Sequence, residues 1–162
     1  MFFNYVKPLI FFIPLAAIQL VLVPLISVIN IAPDLIVILV VYFALLNGQV
    51  YGTLLGFITG FIFDLISGGL LGASMFALTV SGFVAGYFYN ENKIDINTVT
   101  FLFIIILFLC GTVNSFLYSS VANDNPDMGI LRLFFEAGIL PGLYTAILGL
   151  PIVIFSSKKG IE

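Results

Sequence analysis

Hydrophobic residues follow one another along this chain in six long blocks, separated by short polar or glycine-rich breaks such as Asn47-Gly48-Gln49. The blocks do not alternate as barrel strands do, and most approach the roughly 20 apolar residues that a membrane-spanning helix needs. The pattern predicts an all-α integral membrane protein, a six-helix bundle that forms a single membrane domain over residues 1–162. The predicted spans are about 7–29, 33–46, 50–66, 70–89, 98–121 and 129–155.

Composition excludes several other classes of protein. Apolar residues make up 62% of the chain and charged residues 8%, against about 45–50% and about 25% in a soluble domain, so an ordinary soluble domain is excluded. The chain has no histidine, which removes histidine-based catalysis and histidine metal sites. The net charge of −3 argues against binding of nucleic acid. We expect no enzyme activity, no metal and no cofactor.

The few cations predict the orientation in the membrane. Lysines and arginines favour the cytoplasmic side of a membrane protein. If all six spans are real, one side holds four of the five cations and the other side holds Arg132; the four are Lys7, Lys93, Lys158 and Lys159. The sequence therefore predicts a multi-pass protein of a bacterial inner membrane with both termini in the cytoplasm.

Glycines recur every four residues through the third span and beyond it. Steps of four keep residues on one slowly rotating face of a helix, so Gly52, Gly56 and Gly60 form a groove without side chains, where another backbone can approach closely. Packing within the chain is the favoured interpretation, and a seat for another protein's membrane helix is the alternative. The predicted helix-packing or partner-binding residues are Gly52, Gly56, Gly60, Gly68 and Gly72; the pairs Gly82/Gly86 and Gly138/Gly142 are weaker instances.

Two aspartates lie at predicted span ends on the extracytoplasmic side. Asp34 follows Pro33 where the second span begins, which is a favourable position for a helix cap. Two carboxylates close together also suggest peptide hydrolysis, as in lipoprotein signal peptidases. Those enzymes have four spans and place their aspartates in asparagine-containing motifs that this chain lacks, so the enzymatic alternative is disfavoured.

Asp64 needs a partner of its own, because it lies near the C-terminal end of a helix, where the dipole disfavours an anion. Its predicted partner is a donor from the turn at 67–69, which begins with Ser67, or a salt bridge to Arg132. Glu136 lies one turn from Arg132, so a local pair between these two is the alternative for the arginine. We expect Asp64 to be structurally required.

With these motifs in place, the chain resembles the rod shape-determining protein MreD family. The resemblance rests on Ala32-Pro33-Asp34-Leu35 at the start of a span, followed by Gly48-x-x-x-Gly52 and then by Gly56-x-x-x-Gly60-x-x-x-Asp64-x-x-Ser67-Gly68. It covers nearly the whole chain. The loop Asn47-Gly48-Gln49 departs from the family, which usually has aromatic or basic residues there.

The resemblance implies a non-enzymatic scaffold of the cell-wall elongation complex that maintains cell shape. It implies binding to MreC, which has a single membrane helix, and indirect coupling to MreB filaments, RodA and the partner transpeptidase of RodA. It also implies a fold similar to the substrate-binding membrane subunits of energy-coupling-factor transporters.

A transporter subunit for a vitamin-type small molecule is the alternative function. It requires a polar cavity open to the outside of the cell. The residues available to line such a cavity are Asp34, Asp64, Asn114, Ser115, Arg132 and Glu136.

Overall fold

A computed structural model describes residues 2–27, 31–90, 101–122 and 134–157. The regular elements of this described part are all helices and none is a β-strand, which confirms the all-α fold class. A π-helical turn, Phe134–Ile139, directly precedes the last helix. The helices are α1 (Phe2–Val21), α2 (Val23–Ile26), α3 (Leu35–Asn47), α4 (Gln49–Ser67), α5 (Ala73–Tyr87), α6 (Phe101–Ala122) and α7 (Leu140–Ser157).

Helix length separates the apolar helices into two groups. Three stretches within the described residues are long and apolar enough to cross a membrane by themselves: Gln49–Ser67, Phe101–Ala122 and Phe134–Pro151. Lys7–Val21, Leu35–Asn47 and Ala73–Tyr87 are apolar but shorter. The sequence predicted six spans; three now have helices of sufficient length, and crossing by the three shorter helices stays a prediction.

Helix α3 lies at the centre of the bundle. It contacts α1, α4, α5, α6 and α7, and its side chains are buried continuously from Ile36 to Val41. A helix that is apolar all round is suited to this position, because every face can be covered by a neighbour. The helix of the short second predicted span is therefore the core helix of the described fold.

The sixth predicted span is irregular at its start. The sequence predicts a kink at Pro141, which lies inside that span. In the structure the irregularity is the π-helical turn that ends at Ile139, and α7 begins at Leu140. Pro141 therefore lies just after the π-helical turn, and because proline has no N–H, it cannot donate to the carbonyl groups of that turn.

Candidate functional site

The glycine face of α4 lies directly against α5. A Cβ atom added to Gly52 would be 2.5 Å from the backbone oxygen of Gly82, and one added to Gly56 would overlap the backbone carbonyl of Leu78. A Cβ at Gly60 would also collide with α5 backbone. Glycine is required at these positions because the two helix backbones touch.

The contact decides between the two interpretations of the glycine groove. Since α5 of the same chain occupies the face of Gly52, Gly56 and Gly60, no space is left there for another protein's helix. Gly82 and Gly86 are the matching glycines of α5, because a Cβ at either would overlap the α4 backbone. The four-residue repeat is the signature of an internal helix pair.

Gly68 and Gly72 have a different role from the one predicted. Neither packs against a helix, since a Cβ added to either meets nothing within 4 Å. Their φ angles are +68° and +98°, in the left-handed region that side chains disfavour. Gly68 ends α4 and Gly72 precedes α5, so both glycines shape the turn between these helices.

The carboxylate of Asp64 binds the N-terminus of the helix that follows. Asp64 is buried, with 2% of its surface exposed. One oxygen accepts from the backbone N–H groups of Gly72 at 2.9 Å and Met75 at 3.1 Å, and the other accepts from Ser74 at 3.1 Å. These N–H groups have no partner inside α5, and the positive end of the helix dipole favours an anion.

This arrangement corrects the partner predicted for Asp64. The donors come from the first turn of α5 and not from the turn at 67–69. The Ser67 hydroxyl instead donates to the backbone oxygen of Asp64, at 3.5 Å. The predicted alternative, a salt bridge to Arg132, lies outside the described residues, and so does the pair of Arg132 with Glu136; Glu136 itself is exposed in the π-helical turn.

Asp34 caps α3 in the way that its position after Pro33 predicts. One carboxylate oxygen accepts from the N–H groups of Ile36 at 3.0 Å and Val37 at 3.3 Å. The other oxygen accepts from the Asn114 side-chain amide at 2.9 Å. Asp34 and Asn114, two of the residues predicted to face the outside, are thus in direct contact.

Two polar residues that the sequence did not single out complete the cap of α3. The backbone N–H of Asp34 donates to the buried Thr145 hydroxyl at 2.9 Å. Gln19 of α1 accepts from the Leu35 N–H at 2.9 Å and donates to the Pro33 carbonyl at 3.1 Å. Gln19 is the one polar residue in the apolar stretch 8–21, which was an available signal, whereas Thr145 resembles any other threonine in a span.

Together these contacts give the first backbone N–H groups of α3 acceptors from the protein itself. A backbone N–H in an apolar environment needs a partner, and side chains from α1, α7 and Asp34 supply acceptors for four successive N–H groups. Pro33 is buried just before them and has no N–H to satisfy. The site is a set of polar side chains that lets two helices begin inside the protein.

Chemically, this is a capping arrangement. Each carboxylate accepts from the N–H groups of a different helix, and among the described contacts no hydrogen bond joins Asp34 to Asp64. Peptide hydrolysis by paired aspartates requires carboxylates that share a proton, which is a different geometry. Within the described ranges, no three His, Cys, Asp or Glu side chains are grouped as metal ligands would be.

Replacement of Thr145 by valine is expected to destabilise the bundle by about 1–3 kcal/mol, because it leaves the part-buried N–H of Asp34 without an acceptor. Thr59→Val is the matched control: Thr59 is equally buried, but its hydroxyl donates to carbonyls of its own helix, Leu55 at 2.7 Å and Gly56 at 3.4 Å. Thermal melting of the purified variants, followed by circular dichroism, measures both. Equal losses in the two variants would contradict a role specific to the α3 cap.

Fold and site together define an all-helical membrane protein whose internal helix ends are capped by aspartate. The chain belongs to the MreD family: it matches the family described as "rod shape-determining protein MreD" over residues 1–158. Membership assigns it to a family of membrane proteins with a structural role in rod shape determination. Comparison with curated proteins and with solved structures found no match, so the fold likeness to energy-coupling-factor transporter subunits stays a prediction.

Proposed function

We propose that this protein is a non-enzymatic scaffold of the cell-wall elongation complex in the bacterial inner membrane. The observation that carries the proposal is the family match, which extends over residues 1–158 and so takes in every described helix. The geometry agrees with a structural role, because the aspartates that could have served catalysis are engaged in holding helix ends.

In this proposal all six apolar segments cross the membrane. Helix α3, with 13 residues, is only about 20 Å long at 1.5 Å per residue, against about 30 Å of hydrocarbon. The non-helical residues 31–34 precede it and add roughly 13 Å if extended. The contacts of Pro33 and Asp34 with Gln19 and Thr145 make such a segment tolerable at membrane depth, because non-helical backbone is accepted there when it is buried in protein.

The orientation follows from the charges. With six crossings, Arg132 lies outside together with the capped ends of α3 and α5, and the cytoplasm holds the other four cations: Lys7, Lys93, Lys158 and Lys159. Both termini are then cytoplasmic.

The partner that this function requires is MreC, with its single membrane helix. Because α5 fills the glycine face of α4, the partner helix binds an outer face of the bundle, where apolar side chains are exposed. On α4 these side chains recur every three or four residues at Val50, Leu54, Phe57, Phe61 and Leu65. Through MreC the protein is coupled to MreB inside the cell and to RodA and its transpeptidase outside.

The test is co-purification of the tagged protein with MreC from membranes that contain both. We expect a stable complex that survives mild detergent and contains both chains. A matched pair of variants extends the test by comparing the amount of MreC recovered. Leu54→Trp, a bulky substitution on the outer face of α4, is expected to lower this amount, whereas Phe83→Trp, at an exposed position of α5, is expected to leave it unchanged. Failure to recover MreC with the folded parent protein would overturn the proposed partner.

A further inference from the structure

Helix α1 differs from the other long helices in how it is attached to the bundle. Two of its buried side chains, Phe12 and Ala16, belong to the core cluster formed with α3. Between α1 and α4, in contrast, lies an apolar groove of about 510 Å³. Ile13 and Ala17 of α1 and Ile62 and Ile66 of α4 line it. One side of α1 is thus packed on α3, and the side towards α4 is not filled.

A single side chain supplies the polar attachment of the apolar part of α1. Gln19 makes two hydrogen bonds to the start of α3, accepting at 2.9 Å from Leu35 and donating at 3.1 Å to Pro33. The other residues of the stretch 8–21 have apolar side chains and cannot replace these bonds. In an apolar environment, hydrogen bonds of this kind fix orientation, because apolar contacts are non-directional.

Helix α1 is interrupted by a turn close to this attachment. Helix α1 ends at Val21, Leu22 forms a turn, and the short α2 follows. The Tyr144 hydroxyl of α7 donates to the backbone oxygen of Ile26 at 3.0 Å, so the segment beyond the turn is tied separately to α7. Movement of α1 about Leu22 therefore requires that the directional Gln19 contacts break and that Phe12 and Ala16 shift against α3, where their contacts are apolar and non-directional.

We propose that α1 is a latched helix: Gln19 fixes it to the start of α3, and release of this latch lets α1 turn about Leu22 and widen the groove between α1 and α4. The consequence is a bundle with a constant part, the glycine-packed α4–α5 pair, and one adjustable outer face. Ile62 and Ile66 line the α4 side of the groove, so the movement takes α1 away from them.

The test measures distances between spin labels in the full-length protein in lipid nanodiscs. One label pair, at Ile13→Cys and Ile66→Cys, reports the groove; both positions are exposed. A reference pair at Leu54→Cys and Phe83→Cys reports the α4–α5 pair, and Cys110 is buried and not labelled. Gln19→Leu is expected to add a longer component to the groove distance and to leave the reference distance unchanged.

Two further variants make the result decisive. Gln19→Asn keeps the amide but is too short to reach both partners, so it should shift the groove distance in the same direction even if Gln19→Leu folds poorly. Gln49→Leu is the matched control, because the same change there removes only a long contact, 3.5 Å, to Phe83. In hydrogen exchange, the Leu35 amide should exchange roughly tenfold faster in both Gln19 variants.

The opposite results overturn the latch. If both Gln19 variants give the groove distance of Gln49→Leu, α1 is held by its apolar contacts alone. If the groove and reference distances broaden together, Gln19 supports the whole bundle and does not control α1.

Discussion

Replacement of Gly56 by leucine is expected to prevent the bundle from forming, whether or not a partner protein is present. A side chain at this position meets the backbone carbonyl of Leu78, which cannot move aside as a flexible side chain can. Helices α4 and α5 would have to separate, at a cost of about 3 kcal/mol or more, the upper end of the range for overpacking. The measurement is the monodisperse fraction on size exclusion and the accumulation of the protein in membranes.

Gly69→Leu is the control for this substitution. Gly69 lies in the exposed turn between α4 and α5, where an added Cβ has only ordinary contacts, 3.6 Å to Ser67 and 3.9 Å to Tyr118, so the variant should fold nearly as the parent does. Gly56→Ala should already be destabilised, because the Cβ itself collides. If Gly56→Leu folded normally in the absence of a partner and lost only partner binding, the glycine face would be a binding surface for the partner's helix.

The sequence predicted the helices well because hydropathy is a local signal. Each apolar block has a helix in the described part of the chain, and the cap at Asp34 follows from the adjacent Pro33-Asp34-Leu35. Both inferences need only neighbouring residues. The glycine repeat also indicated that a backbone approaches α4, since the spacing of four is a property of one helix.

The repeat does not indicate which helix supplies the backbone that approaches α4. The matching residues, Gly82 and Gly86, are about thirty positions away, and their pairing requires the antiparallel arrangement of α4 and α5 in space. Thr145 was missed for the same reason, because its partner, the Asp34 N–H, is 111 positions distant. The predicted span 70–89 takes in the turn at Gly72, because hydropathy does not report a positive φ.

The capped ends explain how so short a chain can bury a central helix. Helices α3 and α5 begin within the protein, where their first N–H groups would each cost energy if left without an acceptor. Two of the eight acidic residues of the chain, Asp34 and Asp64, accept from these groups. A few polar side chains thus allow α3 and α5 to begin inside the protein and not at its surface.

Replacement of Asp64 by alanine is therefore expected to be the most damaging change of a polar residue among those described. It leaves three N–H groups, those of Gly72, Ser74 and Met75, without acceptors at a buried or part-buried position. With about 1–3 kcal/mol for each unsatisfied group, the loss amounts to a large part of the stability of a small domain. We expect little folded protein in membranes, and in any that is purified, fast hydrogen exchange at the first turn of α5.

Asp64→Asn and Ser67→Ala separate the causes of this loss. Asparagine keeps one acceptor oxygen but presents an amide N–H₂ to the remaining donors and removes the charge that the helix dipole favours, so Asp64→Asn should lie between alanine and the parent. Ser67→Ala removes only the 3.5 Å contact to the Asp64 backbone and should be close to the parent. If Ser67→Ala were as harmful as Asp64→Ala, the turn at 67–69, and not the N-terminus of α5, would be what Asp64 supports.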